Sequence, residues 1–212
     1  MQEGAETINN VVFPQLIVLS LRKLIKLKAF CVDNLPFKWP SLEMVNVSNC
    51  PALEYIFEKK GTSLPFKELH LSSLEGMKHI RKSPSELLHL HNLQTVKIES
   101  CRKLKVIFPA SVAQGLEQLK QLDLFDCDEL EAIVAQRQEG EETIDKVMFP
   151  QLIELSPRKL INLKAFCMDN LPFKFSSLEM VKVHNCPKMK TFAASDGNQS
   201  TTELKGAAGP SN

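Results

Sequence analysis

No stretch of 18 consecutive apolar residues occurs in this chain of 212 residues, and no charged-then-apolar leader opens it. A helix needs about 20 such residues to cross a bilayer, so no segment is expected to span a membrane or direct secretion. An excess of one charge is also missing: 26 Lys and Arg oppose 25 Asp and Glu, for a net +1. That balance excludes a nucleic-acid or membrane surface driven by long-range attraction. G-x-x-x-x-G-K-[ST], G-x-S-x-G, H-E-x-x-H and G-x-G-x-x-G are absent, and with them the usual phosphate loop, nucleophile elbow, zinc helix and dinucleotide turn. The six cysteines contain no C-x-x-C pair, which argues against zinc or dithiol chemistry. His89 and His91 read as solvated histidines rather than a metal pair. Asp126, Asp128, Glu129 and Glu131 lack the spacing and glycine of a calcium loop and read as exposed turn residues. No catalysis, cofactor or metal is expected of this chain.

What is present is a hydrophobic phrase, L-x-x-L-x-L-x-x-C/L-x-x-L-x-x-I/F. It is clearest at Leu42, Val45, Val47, Cys50, Leu53 and Ile56, and again at Leu119, Leu122, Leu124, Cys127, Leu130 and Ile133. Its first position falls at Leu16, Leu42, Phe66, Leu93, Leu119, Leu152 and Leu178, at intervals of about 24–27 residues except one of about 33. The alternating pairs Leu19/Leu21, Val45/Val47, Leu69/Leu71, Val96/Ile98, Leu122/Leu124, Leu155/Pro157 and Val181/Val183 mark half-buried strands. A strand of three to five residues is unstable alone, so each must stack on the next copy. The expectation is an α/β solenoid, a leucine-rich repeat horseshoe. One curved parallel β-sheet of about seven short strands forms its concave face, with irregular or short helical segments on the convex side. Residues 1–192 form this domain and residues 193–212, small and polar, a disordered tail.

Local signals refine the picture. Ser83-Pro84-Ser85-Glu86 and Ser111-Val112-Ala113-Gln114, the latter closed by Gly115, predict a turn or two of helix. Pro157 cannot donate to a ladder, which predicts fraying of the sixth strand. The acidic segment 137–147 reads as a solvated loop. Cys50, Cys101, Cys127 and Cys186 share a slot that Leu24, Leu74 and Leu160 fill in other copies, so these thiols act as small buried hydrophobes. Unbridged cysteines suit a reducing compartment. A larger repetition overlies the first: residues 13–51 and 149–187 agree at 31 of 39 positions, exposed ones included, as a block duplication would leave them.

The residues that alternate with the inward aliphatics form the opposite face. Its candidate partner-binding residues are Glu68, His70, Thr95, Lys97, Glu99, Gln121, Asp123, Phe125, Glu154, Arg158, Met180, Lys182 and His184. Seven strands at about 4.8 Å make a sheet roughly 30 Å across, wide enough for a protein contact of about 800 Å². Phe125 and Met180 stand out as apolar members that invite cover.

The phrases VxFPQL (Val11–Leu16 and Val147–Leu152), LKAFC, PSLE (Pro40–Glu43), LEAIVA and the closing NCPKMKTF at 185–192 carry a family likeness. Through them the chain resembles the C-terminal leucine-rich repeat region of plant intracellular nucleotide-binding immune receptors of the coiled-coil class. The resemblance implies a cytoplasmic recognition module with a protein ligand, either a pathogen effector or a guarded host protein. It also implies an intramolecular partner, the nucleotide-binding switch domain, which it would restrain; ATP or ADP would bind that domain and not this chain. A general leucine-rich repeat scaffold or ubiquitin-ligase substrate adaptor is the alternative. The inside–outside assignment is testable now. Leu122→Asp buries an unpaired charge and should abolish the cooperative thermal transition, whereas charge reversal at Arg158 or Lys182 should leave the circular dichroism spectrum unchanged.

Overall fold

A computed structural model describes residues 11–31, 37–57, 65–80, 90–135, 147–167 and 173–189. Seven strands form one sheet: β1 (Val18–Arg22), β2 (Met44–Ser48), β3 (Glu68–Ser72), β4 (Thr95–Glu99), β5 (Gln121–Phe125), β6 (Glu154–Arg158) and β7 (Met180–Val181). They lie side by side in sequence order, and every pairing is parallel. The register is unbroken, so equivalent residues of successive copies align: Val45, Leu69, Val96, Leu122 and Leu155 form one inward row. All five are fully buried, as are Val47, Leu124 and the slot residues Cys50, Leu74, Cys101, Cys127 and Leu160. The chain is a leucine-rich repeat solenoid.

Each strand ends in a left-handed corner. Lys23, Asn49, Ser73, Ser100, Asp126, Lys159 and Asn185 hold φ between 52° and 57°, and none is glycine. Such a conformation costs an L-residue about 1–3 kcal/mol and persists only when its surroundings fix it. Here the next coil does so. The corner N–H of Asn49 donates to Ser72 O at 3.0 Å, that of Ser100 to Phe125 O at 2.9 Å, and that of Lys159 to His184 O at 2.8 Å. The following cysteine then bonds back across the corner: Cys50 Sγ donates to Ser48 O at 3.4 Å and Cys127 Sγ to Phe125 O at 3.4 Å. The slot therefore wants an apolar group with one weak donor, which is what a thiol supplies. Burial pushes the Cys127 thiol up to about 12, and the Cys101 thiol further in the same direction. Both remain protonated and unreactive at neutral pH. None of Cys50, Cys101, Cys127, Cys167 and Cys186 is in a disulfide.

The far side differs from the irregular or helical course that the sequence implies. It carries two further parallel ladders, one of Ala29–Cys31 with Tyr55–Phe57, the other of Val106–Phe108 with Ala132–Val134 and Ala165–Cys167. The closing I/F of the repeat phrase supplies the inward residue of these strands: Ile56, Ile107, Ile133 and Phe166 are buried. Phe149, Phe166 and Phe175 pack beside them with ring centroids 5.3–5.9 Å apart. Helix is confined to α1 (Ala110–Gln114) among the described residues. Its N-cap is Pro109 rather than Ser111, with no side-chain cap, and Gly115 closes it in a right-handed conformation. The segment 83–86, the loop 137–146 and the tail 193–212 lie outside the described residues.

Pro157 does not fray its own strand. β6 keeps all five residues and pairs fully with β5, Leu124 opposite Pro157. Inward residues of each strand bond to the following strand, as Leu155 O accepting Lys182 N and Pro157 O accepting His184 N show. The donor that proline lacks therefore faces β7, and β7 is the strand cut to two residues, with an isolated bridge at Arg158 and His184.

One glycine is required by close approach. A Cβ at Gly76 would stand 2.4 Å from Pro51 O, a backbone atom of the preceding coil. Gly76→Ala must push two coils apart. A cost of about 1–3 kcal/mol should lower the melting temperature by about 3–10 °C, measured by calorimetry, while Gly115→Ala, whose nearest contact is 3.5 Å, should change it far less.

Candidate functional site

The ladder sets the outward side chains in three rows. One runs Met44, Glu68, Thr95, Gln121, Glu154, Met180; the second Asn46, His70, Lys97, Asp123, Ser156; the third Ser48, Ser72, Glu99, Phe125, Arg158, with His184 bridged to Arg158. Outward residues are intermediate or exposed wherever the inward ones are buried, except Ser48 and Ser156. Twelve of the thirteen candidate residues fall in these rows, and Lys182, next to Val181 on β7, reaches Glu154 of the first row.

Five of them converge. Lys97, Glu99, Asp123, Phe125 and Arg158, with Ile98 beneath, line a half-open cleft of about 270 Å³. Arg158 Nη2 donates to both oxygens of Asp123, at 2.9 and 3.2 Å. The same guanidinium lies 5.4 Å from the centroid of the Phe125 ring, and Lys159 Nζ lies 5.9 Å from it. Phe125 is therefore partly roofed by its own chain, through the attraction between a ring face and a cation. Arg158 Nε is buried with no acceptor, so the guanidinium is held through Nη2. What the cleft offers is an aromatic plate, an ion pair that a ligand could exchange, and two further charges of opposite sign.

The remaining candidates form smaller groups. Glu154 accepts from Lys182 Nζ at 2.8 Å, Ser156 Oγ at 3.0 Å and Gln121 Nε2 at 3.5 Å. The hydrogen bond from Lys182, followed by that from Ser156, holds its carboxyl below the usual range against the effect of burial. His70 Nε2 lies 3.3 Å from Glu68 Oε2 but makes no hydrogen bond. Burial pushes the imidazole pKa down, Lys97 adds to this and Glu68 opposes it, so His70 is neutral at pH 7 and the approach is not an ion pair. Thr95 stands between these groups, and Met180 is 45% exposed at the end of its row.

Asp126 departs from the reading of the acidic cluster as exposed turn residues, whereas Glu129 is exposed as that reading has it. Asp126 is only 6% exposed, because the left-handed corner turns its side chain into the seam between coils. There Lys159 of the next coil grips Oδ1, while Ser100 Oγ of the preceding coil donates to Oδ2 at 3.1 Å and Arg102 stands 3.6 Å away. Ser100, Asp126 and Lys159 are the corner residues of three consecutive copies, so the repeat register alone places them in a column. Lys159, which also covers Phe125, is the contributor to the site that alternation along the strands misses. Arg102 also approaches Asp128, at 3.7 Å, and Lys164 pairs with Glu131. Three of the four carboxylates of the cluster thus meet cations of neighbouring coils, while Glu129 is exposed.

The family model for plant disease resistance protein RPS2-like leucine-rich repeats matches residues 1–128 and 116–205. No curated protein and no solved structure matches the chain.

The seam has a pH signature. The Lys159 hydrogen bond, then Ser100 and the charges of Lys159 and Arg102, hold the Asp126 carboxyl below its ordinary value, with burial working the other way. A depressed pKa contributes stability that is present above the unfolded value of about 4 and is lost as pH falls through the folded one. Asp126→Asn should therefore melt below wild type at pH 7, and the gap should close as the pH is lowered from about 4 toward 2. A gap that stays constant across this range would refute the seam pairing.

Proposed function

Because the chain belongs to the RPS2-like leucine-rich repeats of plant disease resistance proteins, we propose that it is the protein-recognition module of a plant immune receptor. In this reading it works in the cytoplasm and takes a pathogen effector or a guarded host protein on the outward face of the sheet, centred on the Phe125 cleft. The same face also holds a nucleotide-binding switch domain in its resting state, so ligand and switch share it. A ligand that binds better when the switch is open shifts the equilibrium toward signalling, by no more than its differential affinity for the two states.

One observation carries the assignment to this face. The duplicated blocks 13–51 and 149–187 differ at eight positions. Three of these, Val18/Glu154, Asn46/Lys182 and Ser48/His184, fall among the six outward strand positions of the block; the other five are spread over 33 positions. Half of the outward face has changed since the copies were alike, against about a seventh of the rest. Interlocked residues tolerate little change in volume, and outward residues are free to change with what they contact. The groups on offer match what binding energy usually rests on: an aromatic anchor and an arginine, ringed by polar residues.

Arg158 is a poor choice for testing this reading, since reversing it breaks the Asp123 ion pair. Lys97 is exposed on its strand, and Phe125 forms the plate of the cleft. Supplied in trans to an autoactive nucleotide-binding fragment from a receptor of the same family, the chain should suppress cell death in leaf tissue. Lys97→Glu combined with Phe125→Ala should abolish suppression, the weakened contact costing about 10–100-fold in affinity, with the circular dichroism spectrum unchanged. Full suppression by the well-folded double variant would overturn the placement on this face.

A further inference from the structure

Around the Phe125 cleft each ion pair is laid with its cation outermost. The side chain of Arg158 is 43% exposed against 26% for Asp123, that of Lys159 53% against 9% for Asp126, and that of Lys182 54% against 26% for Glu154. Lys97 is exposed on the opposite wall and pairs with no acid among the described residues. A chain of net charge +1 thus turns ammonium and guanidinium groups outward here and keeps three carboxylates beneath them. Of the residues lining the cleft, Glu99 is the one exposed acid. Charge at this patch is also where the duplicated blocks part: Glu154, Lys182 and His184 stand where the first copy has Val18, Asn46 and Ser48.

The central pair is built to be exchanged. Arg158 meets both oxygens of Asp123 through Nη2 alone, and its Nε is buried with no acceptor. The two parallel bonds that make an arginine–carboxylate pair strong are therefore not formed. A carboxylate from outside can form them once the guanidinium turns outward, and Nε then gains its acceptor. Asp123 is not stranded by the exchange. Lys97 stands directly opposite it in the register of β4 and β5, where opposite charges attract across a ladder. The same movement lifts the guanidinium from the Phe125 ring, 5.4 Å beneath it, and bares an aromatic face.

Given the recognition surface assigned above, we propose that the cleft selects an acidic protein segment. A carboxylate of that segment takes Arg158 from Asp123, and an apolar side chain beside the carboxylate lies on Phe125. Glu99, across the ring from Arg158 in the same row, keeps the acid on the Arg158 side. A continuous polyanion such as RNA fits less well, because it meets Glu99, Asp123 and Glu154 along with the cations and the chain has no net charge to draw it in.

The test is fluorescence anisotropy of a labelled peptide of glutamate–phenylalanine repeats, titrated with the full chain at low salt. Its glutamine counterpart should bind at least about tenfold more weakly, as loss of a charge-assisted pair requires. Arg158→Gln should weaken binding of the glutamate peptide by a similar factor. Asp123→Asn, which frees Arg158, should tighten it by about threefold or more, a gain that misfolding cannot produce. Equal binding of the two peptides would overturn the acidic occupant, and unchanged or weaker binding by Asp123→Asn would overturn the exchange. Poly-uridylate displacing the peptide equally well from wild type and from Phe125→Ala would make the patch a polyanion surface and refute the proposal. Failure of the chain to suppress cell death with these binding signs intact strikes the immune role alone. Suppression retained without peptide binding strikes the acidic occupant alone.

Discussion

No coil of this solenoid satisfies its own backbone. Strand amides and carbonyls, the left-handed corner N–H and the far-side ladder all find partners one coil away. The corners make the dependence plainest. Six non-glycine residues are held near φ 55° by an N–H bond to the last strand carbonyl of the next coil, and the four cysteine slots return a thiol to the carbonyl at the end of their own strand. Stability is then a sum over neighbouring interfaces rather than the property of one central core. A defect in one coil is therefore felt in its neighbour, as Pro157 shows by shortening β7 while leaving β6 whole.

This arrangement divides the chain's chemistry in two. Residues that interlock are confined to a narrow choice of volume: Leu, Val, Ile and Phe inward, Cys or Leu in the slot. Residues on the outward face answer only to each other and to whatever meets them. The ion pairs on that face and along the seams are individually weak, since exposed pairs contribute at most about 1 kcal/mol each. Their worth lies in selecting neighbours. Lys67–Glu43, Arg158–Asp123, Lys159–Asp126, Lys164–Glu131 and Lys182–Glu154 all place the cation on the later coil and the acid on the earlier one. Arg102 runs the other way toward Asp126 and Asp128. The prevailing sense gives the stack a direction that hydrophobic packing, which is non-directional, cannot.

The repeat period made the sheet legible from the sequence. Leu69/Leu71, Val96/Ile98 and Leu122/Leu124 announce a strand by alternation, and the same alternation placed Lys97, Glu99, Asp123, Phe125 and Arg158 on one face before any geometry was available. The corner was illegible because a left-handed backbone is usually signalled by glycine, and here Lys, Asn, Ser and Asp adopt it under tertiary constraint. Asp126 was misread for that reason: a charged residue beside a turn looks solvated until the turn is known to point into a seam. The far-side strands were hidden by their length, since Val106–Phe108 or Ala132–Val134 shows too few residues for alternation to register. The helix at Ala110–Gln114 has its cap two residues before the Ser111 that the sequence suggests, because that cap is the backbone of Pro109 and not a hydroxyl.

Arg158 joins the two halves of this chemistry. Its guanidinium closes one wall of the cleft, covers Phe125 and clamps β6 to Asp123 on β5. A ligand that draws Arg158 away, with a carboxylate of its own, uncovers the aromatic plate and at the same time releases one of the three cations that hold the seam. Lys159, over the same ring and on Asp126, would feel the change next. Contact on the outward face and cohesion between the fifth and sixth coils are thereby energetically linked: a partner that exchanges this ion pair trades seam stability for its own affinity. By reciprocity, anything that loosens the seam raises the availability of the cleft by the same factor. A face built from its own stacking contacts needs no separate relay to pass binding into the array.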